Sequence, residues 1–138
     1  MAVVRRKATV VLLDTSIIMH ALDRNVDLLG SIYEAVMGPV SICVPRAVLE
    51  ELRRLAVSGS ASKRRKARVA LSYIESRKER LSVIETPRGP VDEVMLETAE
   101  ALGAIIATSD TKLRREAVKR GLRVLFLWDS RRRVFGEV

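Results

Sequence analysis

The sequence predicts an α/β fold in which helices cover both faces of a central, parallel sheet of about five strands. Short apolar runs rich in β-branched residues alternate with longer segments whose apolar residues recur at helical spacing. This alternation is typical of parallel strands joined by right-handed helical crossovers. In addition, two predicted strands end at an acidic residue, Asp14 and Asp110. Open parallel sheets bind ligands at that edge.

The first half of the chain contains two predicted strands and four predicted helices. Residues 10–13 form a continuous apolar run that stops at Asp14, as a buried parallel strand would. Two short helices are expected within residues 16–38, and a second strand at 40–44. Pro45 is placed to open the next helix, because proline suits a first helical turn. A further helix is predicted over residues 62–78.

The second half continues the same alternation. Residues 81–84 form the third predicted strand, and a Pro- and Gly-rich turn leads into a helix over 91–102 that Gly103 closes. The fourth strand is expected at 104–107. After it comes a helix that stops at Gly121, and then a fifth strand at 122–128.

A chain of 138 residues is the size of one domain, so we expect a single three-layer α/β/α domain over residues 1–138. Residues 1–8 and 129–138 are candidates for loose tails. The basic stretch Arg131-Arg132-Arg133 has two alternatives: pairing at a sheet edge or remaining loose.

Charge and composition favour an anionic partner. The formal net charge is +8 and the sequence pI is about 10.4, which is typical of proteins that bind nucleic acid. A heavily charged thermophile surface is the alternative explanation. Cys43 is the only cysteine, so no intrachain disulfide is expected. No apolar run has the length of a spanning helix or signal peptide, and we therefore expect a cytoplasmic protein.

Helical geometry selects two further acids beside those at the strand ends. At about 100° per residue, Glu51 falls at the border of its helix's apolar face, whereas Glu50 points away. Asp92 lies at the edge of the next apolar stripe, near the helix N-terminus. We expect Asp14, Glu51, Asp92 and Asp110 to meet in one pocket.

Such a cluster of carboxylates predicts a metal site. Carboxylates a few ångströms apart repel one another unless a cation neutralises them. Mg²⁺ prefers oxygen ligands and is commonly held by one or two carboxylates together with substrate phosphate. A zinc site is not expected, because one histidine and one cysteine cannot supply the usual ligand set.

Each acid also has an alternative explanation. Asp14 and Asp110 are suited to cap the helices that follow them. Glu51 and Asp92 could be solvated acids that balance nearby arginines. His20 is expected to pack or to form a hydrogen bond rather than to act in catalysis.

Four motifs in order resemble the PIN-domain family over nearly the whole chain. They are Leu13-Asp14-Thr15-Ser16, Val44-Pro45 with Val48 and Glu51-Leu52, Asp92 seven residues before Ala99, and Ala107-Thr108-Ser109-Asp110 with Leu113.

The resemblance implies a ribonuclease that depends on Mg²⁺ or Mn²⁺, in which the four acids form the catalytic metal site. Asp14, Asp92 and Asp110 would ligate metal, and Glu51 would ligate it or position water. Thr15, Ser16 and Ser109 would be supporting polar residues. Some relatives have paired aspartates where this chain has Asp92-Glu93, so a role for Glu93 stays open.

Within the family, residues 44–76 resemble archaeal relatives of ribosomal-RNA-processing PIN nucleases more than VapC toxins. A processing enzyme would act on pre-ribosomal particles, a toxin would need an antitoxin, and a homodimer is compatible with both. A non-catalytic RNA-binding module is the third alternative. The residues expected to contact RNA phosphates are all basic, and the last three of them lie near the fourth acid: Lys63, Arg64, Arg65, Lys66, Arg68, Lys112, Arg114 and Arg115.

Overall fold

The structure is a computed structural model that describes residues 7–128 and 133–137. The strands are β1 Thr9–Leu13, β2 Val40–Pro45, β3 Leu81–Ile84, β4 Ile105–Thr108, β5 Val124–Trp128 and β6 Arg133–Glu137. The helices are α1 Thr15–Asp23, α2 Leu28–Ala35, α3 Arg46–Ser58, α4 Ala61–Ser76, α5 Val91–Leu102 and α6 Thr111–Lys119.

All six strands belong to one sheet with the order β3-β2-β1-β4-β5-β6. The first five are parallel, which confirms the predicted α/β fold. The last, β6, pairs antiparallel with β5 at the edge. Residues 133–137 of the basic tail therefore pair at the sheet edge, and Arg131 and Arg132 lie outside the described residues.

The centre of the sheet is buried on both faces. Val11, Leu12 and Leu13 of β1 are all fully buried although consecutive side chains of a strand point to opposite faces. The same holds for β4, where Ile106 and Ala107 are fully buried. Helices therefore cover both sides of the sheet, as a three-layer fold requires. Within the described ranges, no helix is long and apolar enough to span a membrane.

Several predicted boundaries were wrong by one or two residues. The first strand begins at Thr9 rather than at residue 10, α4 spans Ala61–Ser76 rather than 62–78, and β4 spans Ile105–Thr108 rather than 104–107. Two further differences have a clear cause. Pro45 ends β2, where it pairs with Ile84, so α3 begins at Arg46 rather than at the proline. The fifth strand begins at Val124 rather than at residue 122. The reason is that Leu122 N–H donates a hydrogen bond to the carbonyl of Ala117. This bond makes residues up to Leu122 part of the turn that ends α6.

The strand order places a topological switch point between β1 and β4. From β1 the chain builds outward through β2 and β3, and it then returns to add β4 and β5 on the other side. At such a point the loops after the two central strands diverge and leave a crevice at their carboxyl ends. Here those loops begin at Asp14 and Ser109.

Candidate active site

Asp14 is a buried residue at the carboxyl end of the central strand β1. It follows β1 directly and is only 4% exposed. Its Oδ2 accepts one hydrogen bond from Ser16 Oγ at 2.7 Å and another from Thr108 Oγ1 at 2.8 Å. Its side chain makes no capping bond to α1. The alternative explanation of Asp14 as a helix cap is therefore wrong.

Backbone amides hold both hydroxyls in place. Ser109 N–H donates to Ser16 Oγ at 3.0 Å, and Asp110 N–H donates to Thr108 Oγ1 at 3.0 Å. Each hydroxyl has a single hydrogen, which is directed at Asp14, so it can accept from the amide at the same time. The network ties the end of β1 to the end of β4 and fixes one oxygen of Asp14.

Thr108 is a residue of this network that sequence reasoning missed. It is fully buried, and its hydroxyl reaches Asp14 across 94 positions of sequence. The pairing of Leu13 with Ala107 in parallel register puts the next residues, Asp14 and Thr108, side by side. The available signal was a polar residue at the end of an otherwise apolar strand. Its hydrogen-bond partner cannot be identified until the register between β1 and β4 is known.

Asp110 has the capping role that was its alternative explanation, at one of its two oxygens. Its Oδ1 accepts from Lys112 N–H at 2.8 Å and from Leu113 N–H at 3.4 Å, at the start of α6. Its Oδ2 accepts no hydrogen bond from any residue that the structure describes. Capping α6 therefore leaves one oxygen of this half-buried carboxylate available for another ligand.

Glu51 and Asp92 lie where helical geometry predicted. Both are half-buried, on α3 and α5, whereas the neighbours Glu50 and Glu93 are exposed. The two helices contact each other, and α5 also contacts β1 and β4. Their half-burial and the effect of Asp14 and Asp92 on Glu51 therefore place both acids at the border of the buried faces of their helices.

Electrostatics link the four acids to one another. Burial is the main cause that raises the pKa of Asp14, and the charge of Asp92 raises it further against the lowering effect of its two hydroxyl donors. The pKa of Glu51 is raised by burial and then by Asp14 and Asp92. The pKa of Asp92 is raised by burial and then by Asp110.

The acids are neighbours but do not form a preassembled metal cage. In the described part of the chain, no three Asp, Glu, His or Cys side chains are grouped so that they could hold an ion together. The donor set nevertheless fits a hard divalent cation, because it consists of carboxylate oxygens, and burial together with neighbouring negative charge raises the pKa of Asp14, Glu51 and Asp92.

The supporting residues differ in their surroundings. Ser109 Oγ lies 2.8 Å from His20 Nδ1, so His20 forms the hydrogen bond expected for it. Thr15 is buried, and its hydroxyl has no hydrogen-bond partner among the residues described. Glu93 is exposed and acts on the site only through its charge, which raises the pKa of Asp92.

The basic residues proposed for RNA contact are in two groups. Those of α4 are exposed, and Lys66 makes only a long ion pair of 3.9 Å with Asp23. In α6, Arg114 lies 4.5 Å from the ring centroid of Phe126 and is half-buried. We call the carboxyl ends of β1 and β4, with Asp14, Glu51, Asp92 and Asp110, the acidic edge. Lys112 is close enough to lower the pKa of Asp92, which places one positive charge at this acidic edge.

The raised pKa values predict that the metal-free protein loses stability as pH rises. An acid with a raised pKa holds its proton to a higher pH when folded than when unfolded, so the folded state binds more protons in that window. The free energy of unfolding therefore falls as pH rises above about 4, where these carboxyls begin to ionise in the unfolded chain. We expect a smaller fall in Asp14→Asn, which lacks the most buried of these carboxyls.

Urea unfolding of both proteins across this pH range, in chelator, measures the difference. The remaining carboxyls are common to both, including Glu85, whose pKa the hydrogen bond from Arg46 lowers. An equally steep fall of the unfolding free energy in the variant would contradict the raised pKa that we assign to the buried Asp14.

Comparisons with known proteins agree with this fold. The model of a family described as PIN like domain matches residues 11–130. Ribonuclease VapC9 of Archaeoglobus fulgidus is 30% identical over 132 residues, which span 96% of this chain and 92% of the relative.

Two solved structures share the fold. The PIN domain endonuclease Utp24 superimposes with a TM-score of 0.76 at 20% identity, over 93% of this chain and 90% of Utp24. The structure of VapBC-1 from nontypeable Haemophilus influenzae gives a TM-score of 0.55 at 15% identity, over 86% of this chain and 98% of that one. At these identities the likeness is one of fold. The family match and the curated relative both span most of the sequence, and the chain therefore belongs to the PIN domain family, whose members are typically nucleases.

Proposed function

We propose that this protein is an endoribonuclease that depends on a divalent metal, with its reaction centre at the carboxyl edge of β1 and β4. The observation that carries the proposal is the buried Asp14, whose pKa burial and the charge of Asp92 both raise. Burying a negative charge costs free energy of folding even when hydroxyl groups donate to it. Such charges are retained mainly where function requires them. The 30% identical relative is named a ribonuclease, which supports RNA as the substrate.

The four acids have different tasks in this proposal. Asp14, Asp92 and Asp110 would hold Mg²⁺ or Mn²⁺, with Ser16 and Thr108 fixing the orientation of Asp14. A bound divalent ion would lower the pKa of a water molecule that it ligates, and it would partly neutralise the negative charge of the phosphodiester. Glu51 holds the ion or accepts a proton from water, a role that its raised pKa suits.

The substrate is held through its phosphates. The chain has 25 Lys and Arg against 17 Asp and Glu, and the basic side chains of α4 and those of Lys112 and Arg115 in α6 are exposed. The residues proposed to contact phosphate are Lys63, Arg64, Arg65, Lys66, Arg68, Lys112 and Arg115, together with Arg114, which is half-buried beside Phe126.

Two biological settings are supported equally. The basic insertion in residues 44–76 favours ribosomal RNA processing, in which the partner is a pre-ribosomal particle. The likeness to Ribonuclease VapC9 and to VapBC-1 favours a VapC-type toxin, in which the partner is an antitoxin. A protein that co-purifies at equal stoichiometry and blocks cleavage would identify the second.

The function is tested by incubating the protein with total RNA in Mg²⁺ or Mn²⁺ and in excess chelator, followed by sequencing of the product ends. We expect discrete internal cuts with metal and intact RNA in chelator. Binding without cleavage in either metal would instead identify a non-catalytic RNA-binding module. Equal cleavage in chelator would contradict the role of the metal.

A further inference from the structure

A groove opens next to the acidic edge and shares Glu51 with it. It lies between the first turns of α3 and the segment that joins β3 to α5, and its volume is about 510 Å³. That volume is within the range of clefts that bind ligands in proteins. The lining includes Glu51, Arg54 and Arg88, together with Pro87 and Pro90.

The walls of the groove are joined to each other. Arg46, at the start of α3, forms a salt bridge of 2.7 Å with Glu85, which directly follows β3. Thr86 Oγ1 accepts a hydrogen bond of 3.1 Å from Ala47 N–H and so caps the exposed start of the helix. Gly89 has a φ of +152°, which side chains rarely adopt. The loop is thus fixed by two proline rings, a glycine bend and two contacts with α3.

Two arginines of the lining are available to bind an anion. Arg46 is neutralised by Glu85, and the charge of Glu50 acts on it as well. Arg54 and Arg88 are exposed and, within residues 7–128 and 133–137, form no salt bridge. Arg54 is nevertheless close enough to lower the pKa of Glu51. Positive charge therefore lies immediately next to the acidic edge.

We propose that this groove binds the phosphodiester backbone of the RNA strand on one side of the cleavage point, with Arg54 and Arg88 contacting its phosphates. The assignment rests on the proposed function, because Glu51 is shared by the groove and the acidic edge. No aromatic side chain that the structure describes lines the groove, so the proposal includes no base stacking there. The contacts supply affinity without sequence preference.

Binding of a fluorescein-labelled single-stranded RNA tests the groove. The double variant Arg54→Ala/Arg88→Ala is compared with Arg53→Ala/Arg80→Ala, which also removes two exposed arginines but none from the groove. Dissociation constants are measured across a salt series by fluorescence anisotropy. An Asp14→Asn background keeps the RNA intact, and a parallel set without that substitution reports cleavage.

For the groove variant we expect the dissociation constant to rise about tenfold near 0.1 M salt, and the slope of log K against log salt to decrease by about 1.4. The slope estimate assumes about 0.7 for each lost phosphate contact on a single strand. In the cleavage assay KM should rise while kcat is retained. The control variant should lose less than half of this slope.

The outcomes separate the two proposals. If the unsubstituted protein cleaves RNA but the two double variants bind it equally, the groove assignment is wrong and the proposed function stands. If the groove variant alone loses affinity while no protein cleaves, Arg54 and Arg88 bind the RNA backbone, but the ribonuclease function and the place of the groove beside a cleavage point are wrong.

Discussion

Replacing Asp14 by asparagine should reduce metal-dependent RNA cleavage by more than about a hundredfold. The estimate follows from outer-shell partners of metal ligands, whose loss already costs about 10–100-fold, so that loss of a ligand should cost more. Asparagine keeps the shape of the side chain and can still accept from Ser16 and Thr108. What it removes is the negative charge. Initial rates on a defined RNA at saturating metal provide the measurement.

The control for this variant is Glu97→Gln, which neutralises an exposed acid on the outer side of α5 and should cleave at the normal rate. Thermal unfolding separates lost chemistry from lost structure. Because burial disfavours the ionised Asp14, we expect the asparagine variant to be at least as stable as the original protein without metal. Undiminished cleavage by a folded Asp14→Asn protein would refute the assignment of this site.

Binding of Mg²⁺ or Mn²⁺ should raise the melting temperature of the protein by about 5–10 °C at a concentration one hundred times the dissociation constant. A ligand that binds only the folded state stabilises it by about 2.7 kcal/mol under these conditions. In a domain of this size each kcal/mol corresponds to roughly 3 °C. The source of the effect is relief of the repulsion among Asp14, Glu51 and Asp92.

The same titration in variants locates the ion. The shift should be largely lost in Asp14→Asn and in Asp92→Asn, and it should persist in Glu97→Gln. This readout is independent of catalysis, so it tests the metal site even if the chosen RNA is a poor substrate. Equal stabilisation of all four proteins would mean that the ion binds elsewhere.

The acids at the strand ends and the acids on the helices have different surroundings, which suggests different roles in the site. Asp14 is held by two hydroxyls and cannot turn freely, whereas Asp110 is fixed at one oxygen by the amides of α6. Glu51 and Asp92 project from helices and are only half-buried. In the proposed metal site, the strand-end acids would fix the position of the ion and the helix acids would turn towards it.

Much of this architecture is determined by the sequence alone. The alternation of apolar runs with helical spacing predicted the parallel sheet, because the periods of strands and helices differ. Rotation along a helix separated Glu51 from Glu50 and Asp92 from Glu93, and burial in the structure agrees. These features depend on residues a few positions apart, and local geometry fixes their relation.

Only the tertiary structure decided which distant groups meet. The bond between Thr108 and Asp14, the contact of His20 with Ser109, and the antiparallel β6 all depend on strand register and order. The groove likewise exists because α3 packs against the segment after β3. Such contacts join residues tens of positions apart, and many arrangements of the same elements satisfy the local pattern equally well. Packing of the complete core selects one of them.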